Sequence, residues 1–241
     1  GRALGQSYHL SDGIWSDGTD CTTQVPGLYA AGDCLGARSG YPMAGFAAAF
    51  CAVSGARAGV NAARFSDEHG WNGLDRDEIA GLKGVLWGPK ERKGGFTPQW
   101  ALQVLQDVVT PYWVLLYKRE DRLQAALNYV GFMRDHIVPQ LMAYDNHDLR
   151  LVHEVRNIVL HMEMKLRASL FRKESRWYHY REDYPLRDDE NWLCWVKIQD
   201  VNGEMTLSKV PIPEKWRPDP TVPYAERYPC KFPNEPQDLP D

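Results

Sequence analysis

A short apolar run, a glycine turn and a long stretch of small residues constrain most strongly what this chain can fold into. The sequence GLYAAGD, residues 27–33, has four consecutive apolar residues before Gly32. An apolar run without alternation predicts a buried strand, and the glycine predicts a turn at its end. The sequence AGFAAAFCAVSGARAGVNAA, residues 44–63, predicts a helix of small residues. Such a helix can pack closely against a sheet or a bound ligand.

Three amphipathic segments between residues 97 and 172 predict an antiparallel helical bundle. Thr97 is the expected N-cap of the first segment, and Pro111 is expected to kink it. The second helix is predicted at about 119–142 and the third at about 146–172. Their apolar positions keep helical spacing: Leu102, Leu105, Val109 and Trp113 in the first; Leu123, Leu127, Val130 and Ile137 in the second; Leu149, Val152, Val155, Val159, Met162, Leu166 and Leu170 in the third.

The regions on either side of these helices have a different composition. Residues 65–96 are polar and hold seven glycines, which predicts a connector. Residues 191–210 predict a β-hairpin that turns at Asn202-Gly203. Residues 211–241 hold nine of the sixteen prolines, and we expect them to run extended over a surface rather than form helix or central strand. The predicted organisation is an α+β fold with the regions 1–64, 65–96, 97–174 and 175–241.

Composition excludes several classes of function. The net charge of −4 argues against a nucleic-acid partner, because phosphate binding needs a basic surface. No apolar run approaches the ~20 residues that span a membrane. The five cysteines are scattered and form no CxxC pair, so we interpret them as free thiols and predict no metal or iron–sulfur site in this chain. These features predict a cytoplasmic location, with any membrane association made through a partner.

Two motifs resemble one family of flavoproteins. The sequence DGIWSDGTDCTTQVPGLYAAGDC, residues 12–34, resembles the second flavin-contacting segment of the succinate dehydrogenase/fumarate reductase flavoproteins. The sequence KESRWYHYREDYPLRDDENWL, residues 173–193, resembles their C-terminal signature, including the adenylylsulfate reductase and L-aspartate oxidase branches. The three predicted helices lie between the two motifs, as in the C-terminal helical domain of that family. The resemblance covers about residues 8–212.

The resemblance implies an FAD cofactor and the edge of a Rossmann-like FAD-binding domain in residues 1–64. An Asp after a strand and a glycine turn can accept a hydrogen bond from a sugar-like hydroxyl, and a helix N-terminus suits an electron-rich carbonyl. In the family the matching positions contact the ribityl chain and the flavin ring. The alternative is a tight turn beside a packing helix. The candidate FAD-binding residues are Ala31, Gly32, Asp33, Gly45, Phe46, Ala47 and Ala48.

The resemblance also shows which family segments have no counterpart here. The sequence contains no GxGxxG motif for a pyrophosphate, and the family has that motif and its capping domain N-terminal to residues 12–34. We therefore expect the chain to be a C-terminal piece, a proteolytic product or a split subunit of a larger flavoprotein. We also expect it to hold FAD poorly by itself.

The family's two dicarboxylate-binding residues are replaced in the aligned sequence. Its HxxxGGI motif places Tyr8 where the substrate-binding His stands, and His9 is one residue away. Its RLGGN motif places Pro42 where the substrate-binding Arg stands, and Arg38 is four residues earlier. His9 and Arg38 are therefore weak catalytic candidates, and fumarate or succinate is a doubtful substrate.

Other candidate residues have a structural alternative. HEVRN, residues 153–157, fails the HExxH zinc pattern, so His153 and His161 are interpreted as helix-bundle histidines. The Arg and Asp residues of the C-terminal signature are either catalytic or form ion pairs that hold a loop on the helices. Trp177 follows Arg176, where the family usually has Gly, and this predicts altered packing or a contact surface.

Two functions remain open. The chain is either the C-terminal part of a flavin-dependent oxidoreductase or a non-catalytic helical module. In both cases the expected partners are the N-terminal FAD-binding and capping portion and an iron–sulfur electron-transfer subunit. The aromatic, proline-rich tail, with Trp216, Tyr224 and Tyr228, is expected to face that subunit.

Overall fold

The computed structural model describes residues 13–16, 18–36, 46–70 and 73–235. The chain divides into two compact units, Gly1–Leu74 and Asp75–Asp241. Helices and small β-sheets are both present, so the predicted mixed α and β composition is confirmed.

The first unit is built from short bridges and one long helix. Ile14 forms a parallel bridge with Leu35, and Thr22 forms an antiparallel bridge with Tyr29. Gly32–Cys34 is a 3-10 turn, and helix α1 is Phe46–His69. Over the described residues the strand expected at 28–31 is thus reduced to isolated bridges, because only single residues find a backbone partner. The small apolar core of the first unit contains Cys21, Ala30, Leu35 and Ala58.

Two glycines allow the Ile14 bridge to form. The Ile14 amide donates to the Cys34 carbonyl at 2.7 Å, and the Gly36 amide donates to the Ile14 carbonyl at 2.9 Å. A Cβ added to Gly13 would lie 2.7 Å from the Cys34 carbonyl oxygen, and one added to Gly36 would lie 2.9 Å from the Gly13 carbonyl oxygen. Real Cβ atoms do not approach oxygen so closely, so a side chain at either glycine would separate the two segments.

The segment expected to be a polar connector is mostly helical. Helix α1 continues to His69, and residues 76–91 form helix α2, Arg76–Glu91. Asp75 caps α2, since its carboxylate accepts from the backbone amides of Asp77 and Glu78. The glycines that indicated a connector are tolerated inside α2, because Asp75 caps the start of this helix and Pro89 is buried near its end.

The remaining helices belong to the second unit. In chain order they are α3 Pro98–Val109, α4 Tyr112–Leu115, α5 Glu120–Phe132, α6 Asn146–Phe171, α7 Asp189–Trp192 and α8 Tyr224–Arg227. Thr97 precedes α3 at the N-cap position without a side-chain hydrogen bond. Pro111 separates α3 from α4, because a proline cannot continue the backbone hydrogen-bond ladder.

The second predicted helix ends earlier than its apolar pattern indicated. Regular α-helix stops at Phe132, a π-helical turn follows at Met133–Ile137, and a 3-10 turn ends the segment at Val138–Gln140. Pro139 has no amide hydrogen, and its ring would clash with the carbonyl four residues earlier. The apolar positions still face the core through this break, since Met133 and Ile137 are both buried.

Helices α3, α5 and α6 surround one apolar core. All three helices contribute deeply buried side chains to it: Ala101, Leu105, Leu123, Val130, Val152, Val155 and Val159. Asp145 caps α6 by accepting from the Asp148 amide. Burying a side chain of this size contributes about 1.5–3 kcal/mol, so this shared core explains why the helices pack together.

Two small sheets complete the second unit. Strand β1, Tyr117–Lys118, pairs in parallel with β2, Tyr180–Arg181. Strand β3, Cys194–Val201, pairs antiparallel with β4, Glu204–Pro211. Asn202 and Gly203 connect β3 to β4 with φ angles of 57° and 85°. Both residue types tolerate the left-handed region that such a short connection requires.

The proline-rich tail is not uniformly extended. A 3-10 turn occupies Glu214–Trp216, and α8 forms one helical turn directly after Pro223. This corrects the expectation that the tail excludes helix: proline is compatible with a position at the start of a helix, where its missing amide is not needed.

Candidate functional site

The turn at Gly32 is the centre of the first candidate site. Gly32 is buried with φ of +65°, and its amide donates to Ser54 Oγ at 2.9 Å. A Cβ at this position would lie 3.1 Å from Cys51 Sγ. The left-handed angle and the close approach of α1 both favour glycine here.

Asp33 presents its side chain at the surface directly after this turn. Asp33 is exposed, Ala31 before it is half-buried, and the Cys51 thiol lies 3.8 Å from Asp33 Oδ1. The adjacent helix α1 begins at Phe46 with a first turn of small residues and no acidic side chain. Ala47 is half-buried and Ala48 is exposed. An exposed carboxylate therefore lies in the same unit as a helix whose first turn carries no acidic residue.

These described residues fit a flavin nucleotide. An exposed carboxylate can accept a hydrogen bond from a hydroxyl, and the backbone amides in the first turn of a helix suit an electron-rich group. Gly45, His9, Arg38, Tyr8 and Pro42 lie outside the described residues, so the structure does not bear on their predicted roles.

The C-terminal signature contains the second candidate site, and its charges are paired with one another. Glu174 is fully buried and forms ion pairs with Arg172 and with Arg176, whose Nε lies 2.8 Å from Glu174 Oε1. The Asp188 amide also donates to Glu174 at 2.9 Å. Burial by itself would lower the pKa of Arg176, but the bonds to Glu174 hold it above its usual value.

Arg181 binds the backbone carbonyls at the C-terminal end of α6. Its buried guanidinium donates from Nη1 to the Ser169 carbonyl at 2.7 Å and to the Arg172 carbonyl at 3.2 Å. Its other nitrogens bind the Asp183 carboxylate at 2.6 and 2.7 Å. The last carbonyls of a helix lack partners within the helix, and a cation at this end also opposes the helix dipole.

Asp189 connects the tail to the signature. Its carboxylate accepts from Arg176, from Arg227 of α8 and from the Tyr228 hydroxyl, all at 2.5–2.7 Å. The Tyr224 hydroxyl accepts from the Arg187 amide at 3.1 Å. Tyr224 and Tyr228 are half-buried and their hydroxyls bond within their own unit, whereas Trp216 is 70% exposed.

Trp177 occupies a strained turn. Arg176 and His179 exchange both backbone hydrogen bonds, at 2.8 and 2.9 Å, so Trp177 and Tyr178 form the tip. Trp177 has φ of +53° and its indole is 62% exposed. The sequence predicted altered packing or a contact surface here; the structure shows a backbone angle that glycine adopts without steric cost and that tryptophan does not.

His179 stays neutral beside this turn. Burial and the nearby positive charge of Lys118 lower the pKa of His179 to about 3. Its Nε2 lies 3.3 Å from the Arg172 carbonyl, which requires the proton on that nitrogen. The contact supports a structural role for this histidine.

The remaining candidates form no metal site in the described part of the chain. No group of three or more His, Cys, Asp or Glu side chains is placed to bind a metal ion among those residues. His153 Nε2 lies 2.9 Å from the Leu86 carbonyl of α2, so this histidine connects two helices. None of the helices described is both long and apolar enough to cross a membrane.

The fold of this chain is similar to that of known proteins of one class, the reductases. Adenylylsulfate reductase of the hyperthermophile Archaeoglobus fulgidus superposes with a TM-score of 0.67 at 30% identity. The match covers 78% of this chain and 32% of that one.

The family follows from residues 104–227, which match the family described as fumarate reductase flavoprotein C-term. The match covers just over half of the sequence, and the chain belongs to this family. An uncharacterised FAD-dependent oxidoreductase of Methanocaldococcus jannaschii is 31% identical over 171 residues, 70% of this chain and 31% of that protein. The 8-methylmenaquinol:fumarate reductase flavoprotein subunit of Wolinella succinogenes is 29% identical over 77% of this chain and 32% of its own length. The chain therefore spans about a third of the length of these relatives.

Proposed function

We propose that this chain forms the C-terminal region of an FAD-dependent oxidoreductase of the fumarate reductase, succinate dehydrogenase and adenylylsulfate reductase type. The observation that carries the proposal is the exposed Asp33 after the left-handed Gly32, in a chain that belongs to a flavoprotein family. Helices α3, α5 and α6 would form an antiparallel bundle, with the C-terminal signature holding them in place.

The roles of the individual residues follow from their chemistry. Asp33 would accept a hydrogen bond from a hydroxyl of the ribityl chain, and Gly32 would hold Asp33 against α1. Gly45, Phe46, Ala47 and Ala48 would bring backbone amides to the electron-rich edge of the flavin ring. Bound FAD would supply the acceptor for an electron pair or hydride.

The substrate is proposed to differ from fumarate. Tyr8 and Pro42 stand where the family has a His and an Arg that bind a dicarboxylate. Losing two such groups removes charge-assisted hydrogen bonds that fix a dianion for reaction. His9 and Arg38 remain weak catalytic candidates, and a smaller, inorganic or differently charged substrate is favoured.

An iron–sulfur electron-transfer subunit is the proposed partner, in the cytoplasm and with any membrane contact made through it. The exposed Trp216 is the tail residue best placed to meet a partner, since an exposed indole is typical of interface anchors. Deleting residues 211–241 would also remove Arg227 and Tyr228 from Asp189. Trp216→Ala is therefore the cleaner test of the partner contact: release of a co-purifying iron–sulfur protein is expected, and its full retention would argue against this contact.

The cofactor assignment is tested in the protein expressed from its complete reading frame. Asp33→Ala should reduce FAD affinity on the order of 10- to 100-fold, the effect of losing one hydrogen bond to a charged acceptor. Asp107→Ala, at an exposed position of α3, is the matched control and should leave the affinity unchanged. Flavin absorbance after gel filtration measures the result. Equal FAD content in both variants would remove Asp33 from the site, and a protein that never binds FAD would contradict the proposed function.

Two further measurements test the proposal, one on the 241-residue chain and one on the complete protein. Because it contains no GxGxxG motif, we expect it to purify nearly colourless even with added FAD; stoichiometric flavin would overturn this. With a reduced viologen as donor, the complete protein should reduce fumarate very slowly. Brisk fumarate turnover would show that His9 and Arg38, or other residues, replace the family's substrate-binding pair.

A further inference from the structure

Helix α2 carries a row of apolar side chains that lie largely at the surface. Ile79, Leu82 and Leu86 are spaced three and four residues apart and Val85 lies beside them, so all four share one side of the helix. Leu82 is 63% exposed, Val85 56% and Leu86 44%, and Ile79 is half-buried. Single exposed apolar residues are common on protein surfaces, but a contiguous row on one helix is typical of an interaction surface.

The hydrogen bonds that join α2 to the rest of the described second unit lie toward its C-terminal end. The Pro89 carbonyl accepts from the Ala143 amide at 2.9 Å, and Lys90 Nζ donates to Asn146 Oδ1 at 2.9 Å. Of residues 76–85, nine are exposed and one is half-buried. The first turns of α2 therefore project from the part of the unit that the structure describes.

Three glycines inside α2 make a partner for this helix more important. Gly81, Gly84 and Gly88 each weaken the helix relative to alanine, because glycine loses more backbone freedom on folding. Helices of this length gain most of their stability from packing an apolar face rather than from intrinsic propensity. Covering the row of apolar side chains would therefore stabilise α2 where its own sequence does not.

The charges of this segment show what can cover it. Acidic side chains dominate its start and basic side chains its end, all at exposed positions: Asp75, Asp77 and Glu78 against Lys90, Arg92 and Lys93. With Arg76 and Glu91 included, three acids and one base give residues 75–78 a net charge of −2, and three bases and one acid give residues 90–93 a net charge of +2. Such a surface is complementary to itself after a twofold rotation.

We propose that the apolar face of α2 binds the same face of a second copy of this chain, with the two helices antiparallel. The twofold axis passes near the middle of the helix, so that Leu82 contacts Leu86 of the second copy. The acidic start of each helix then lies beside the basic end of the other. A single helix pair covers less surface than a standard interface, so the dimer is weak, with a Kd in the micromolar range. This association requires neither FAD nor a substrate.

Sedimentation equilibrium measures the dimer in the 241-residue chain and in the complete protein, from about 1 to about 100 µM. Both are expected to shift from monomer to dimer as the concentration rises. Leu82→Glu should raise the Kd on the order of 10-fold or more, because it brings two like charges together near the twofold axis. Val60→Glu is the matched control, since it changes a comparably exposed apolar residue of α1. It should leave the Kd unchanged.

Charge reversal tests the antiparallel orientation. Glu78→Lys and Lys93→Glu should each weaken the dimer several-fold, and the double variant should restore it. The two residues lie at opposite ends of a helix that is about 24 Å long, so they do not pair within one chain. A double variant that dimerises no better than the single variants would exclude the antiparallel orientation.

Three outcomes of the sedimentation measurements would overturn the proposal. A 241-residue chain that stays monomeric at all concentrations has no such interface. A dimer that Leu82→Glu retains uses another surface of the chain. A complete protein that stays monomeric while the 241-residue chain dimerises shows that another part of the same polypeptide covers α2.

Discussion

Two Arg-x-Asp pairs show how burial changes the contribution that the same two side chains make to stability. Arg181 pairs with Asp183 and Arg119 pairs with Asp121, both at the same spacing in the sequence. Arg181 is fully buried and also binds the last carbonyls of α6, whereas the side chain of Arg119 is about half exposed. Removing one partner of a buried pair leaves an uncompensated charge, while water and salt screen an exposed pair.

Arg181→Met should therefore destabilise the protein by about 3–5 kcal/mol, because Asp183 and the α6 carbonyls would lose their donor. Arg119→Met, the matched control, should leave the free energy of unfolding unchanged within error. Urea denaturation of both variants measures the difference. A similarly small effect for both would mean that other groups or water satisfy the end of α6.

Lys118 makes the stability depend on pH in the alkaline range. Its pKa is about 8 in the folded protein against 10.5 for an ordinary lysine. Between these values the unfolded chain binds more protons, so raising the pH favours the folded state by at most about 1.4 kcal/mol per pH unit. Below pH 8 both states hold the proton and this contribution is constant.

Urea denaturation from about pH 7 to about pH 9.5 checks this prediction. Relative to Lys118→Met, the unsubstituted protein should gain stability as the pH rises above about 8. Lys83→Met should follow the unsubstituted protein, because its lysine is exposed. Parallel curves for the unsubstituted protein and Lys118→Met would show that Lys118 titrates as an ordinary lysine.

At the scale of elements, capping residues and prolines set the ends of several helices. Asp75 and Asp145 cap α2 and α6, and Pro111 and Pro139 interrupt the helical segments near them. The turn at Trp177 is the exception, since it places a bulky residue at φ of +53°. An L-residue in the left-handed region costs roughly 1–2 kcal/mol.

Comparing Trp177→Gly with Trp177→Ala isolates this backbone cost, because both variants lose the indole. We expect the Gly variant to be more stable than the Ala variant by about 1 kcal/mol, since glycine adopts the left-handed angle freely. Thermal or urea unfolding measures it. If Ala were equal or better, the turn would have relaxed away from the left-handed conformation.

At the scale of the molecule, the second unit has an apolar core of its own. Its buried apolar residues contact one another, and its buried charges are largely paired within Asp75–Asp241. A polypeptide of residues 75–241 should therefore unfold cooperatively, with a melting temperature that added FAD does not change. Calorimetry gives the midpoint, and a fragment that lacks a cooperative transition would show that the rest of the chain is needed for folding.

The amino-acid sequence by itself determined the three long helices α3, α5 and α6 and the turns at Gly32 and Asn202-Gly203. Apolar residues at helical spacing marked the buried faces of α3, α5 and α6, because burial of one stripe drives their packing. Gly32 was recognisable because few other residues suit such a turn. The two motifs at residues 12–34 and 173–193 indicated the family, and the match over residues 104–227 confirmed it.

Only the tertiary structure decided which polar residues are buried and what they hold. Arg181 and Arg119 are indistinguishable in sequence, and burial against the end of α6 makes one of them structural. Residues 76–91 have the composition of a connector, yet α2 forms because Asp75 caps its start and its last turn contacts α6 through Lys90 and Asn146. Local sequence encodes periodicity and turn chemistry, whereas desolvation and ion pairing depend on residues that are distant along the chain and meet only in the folded state.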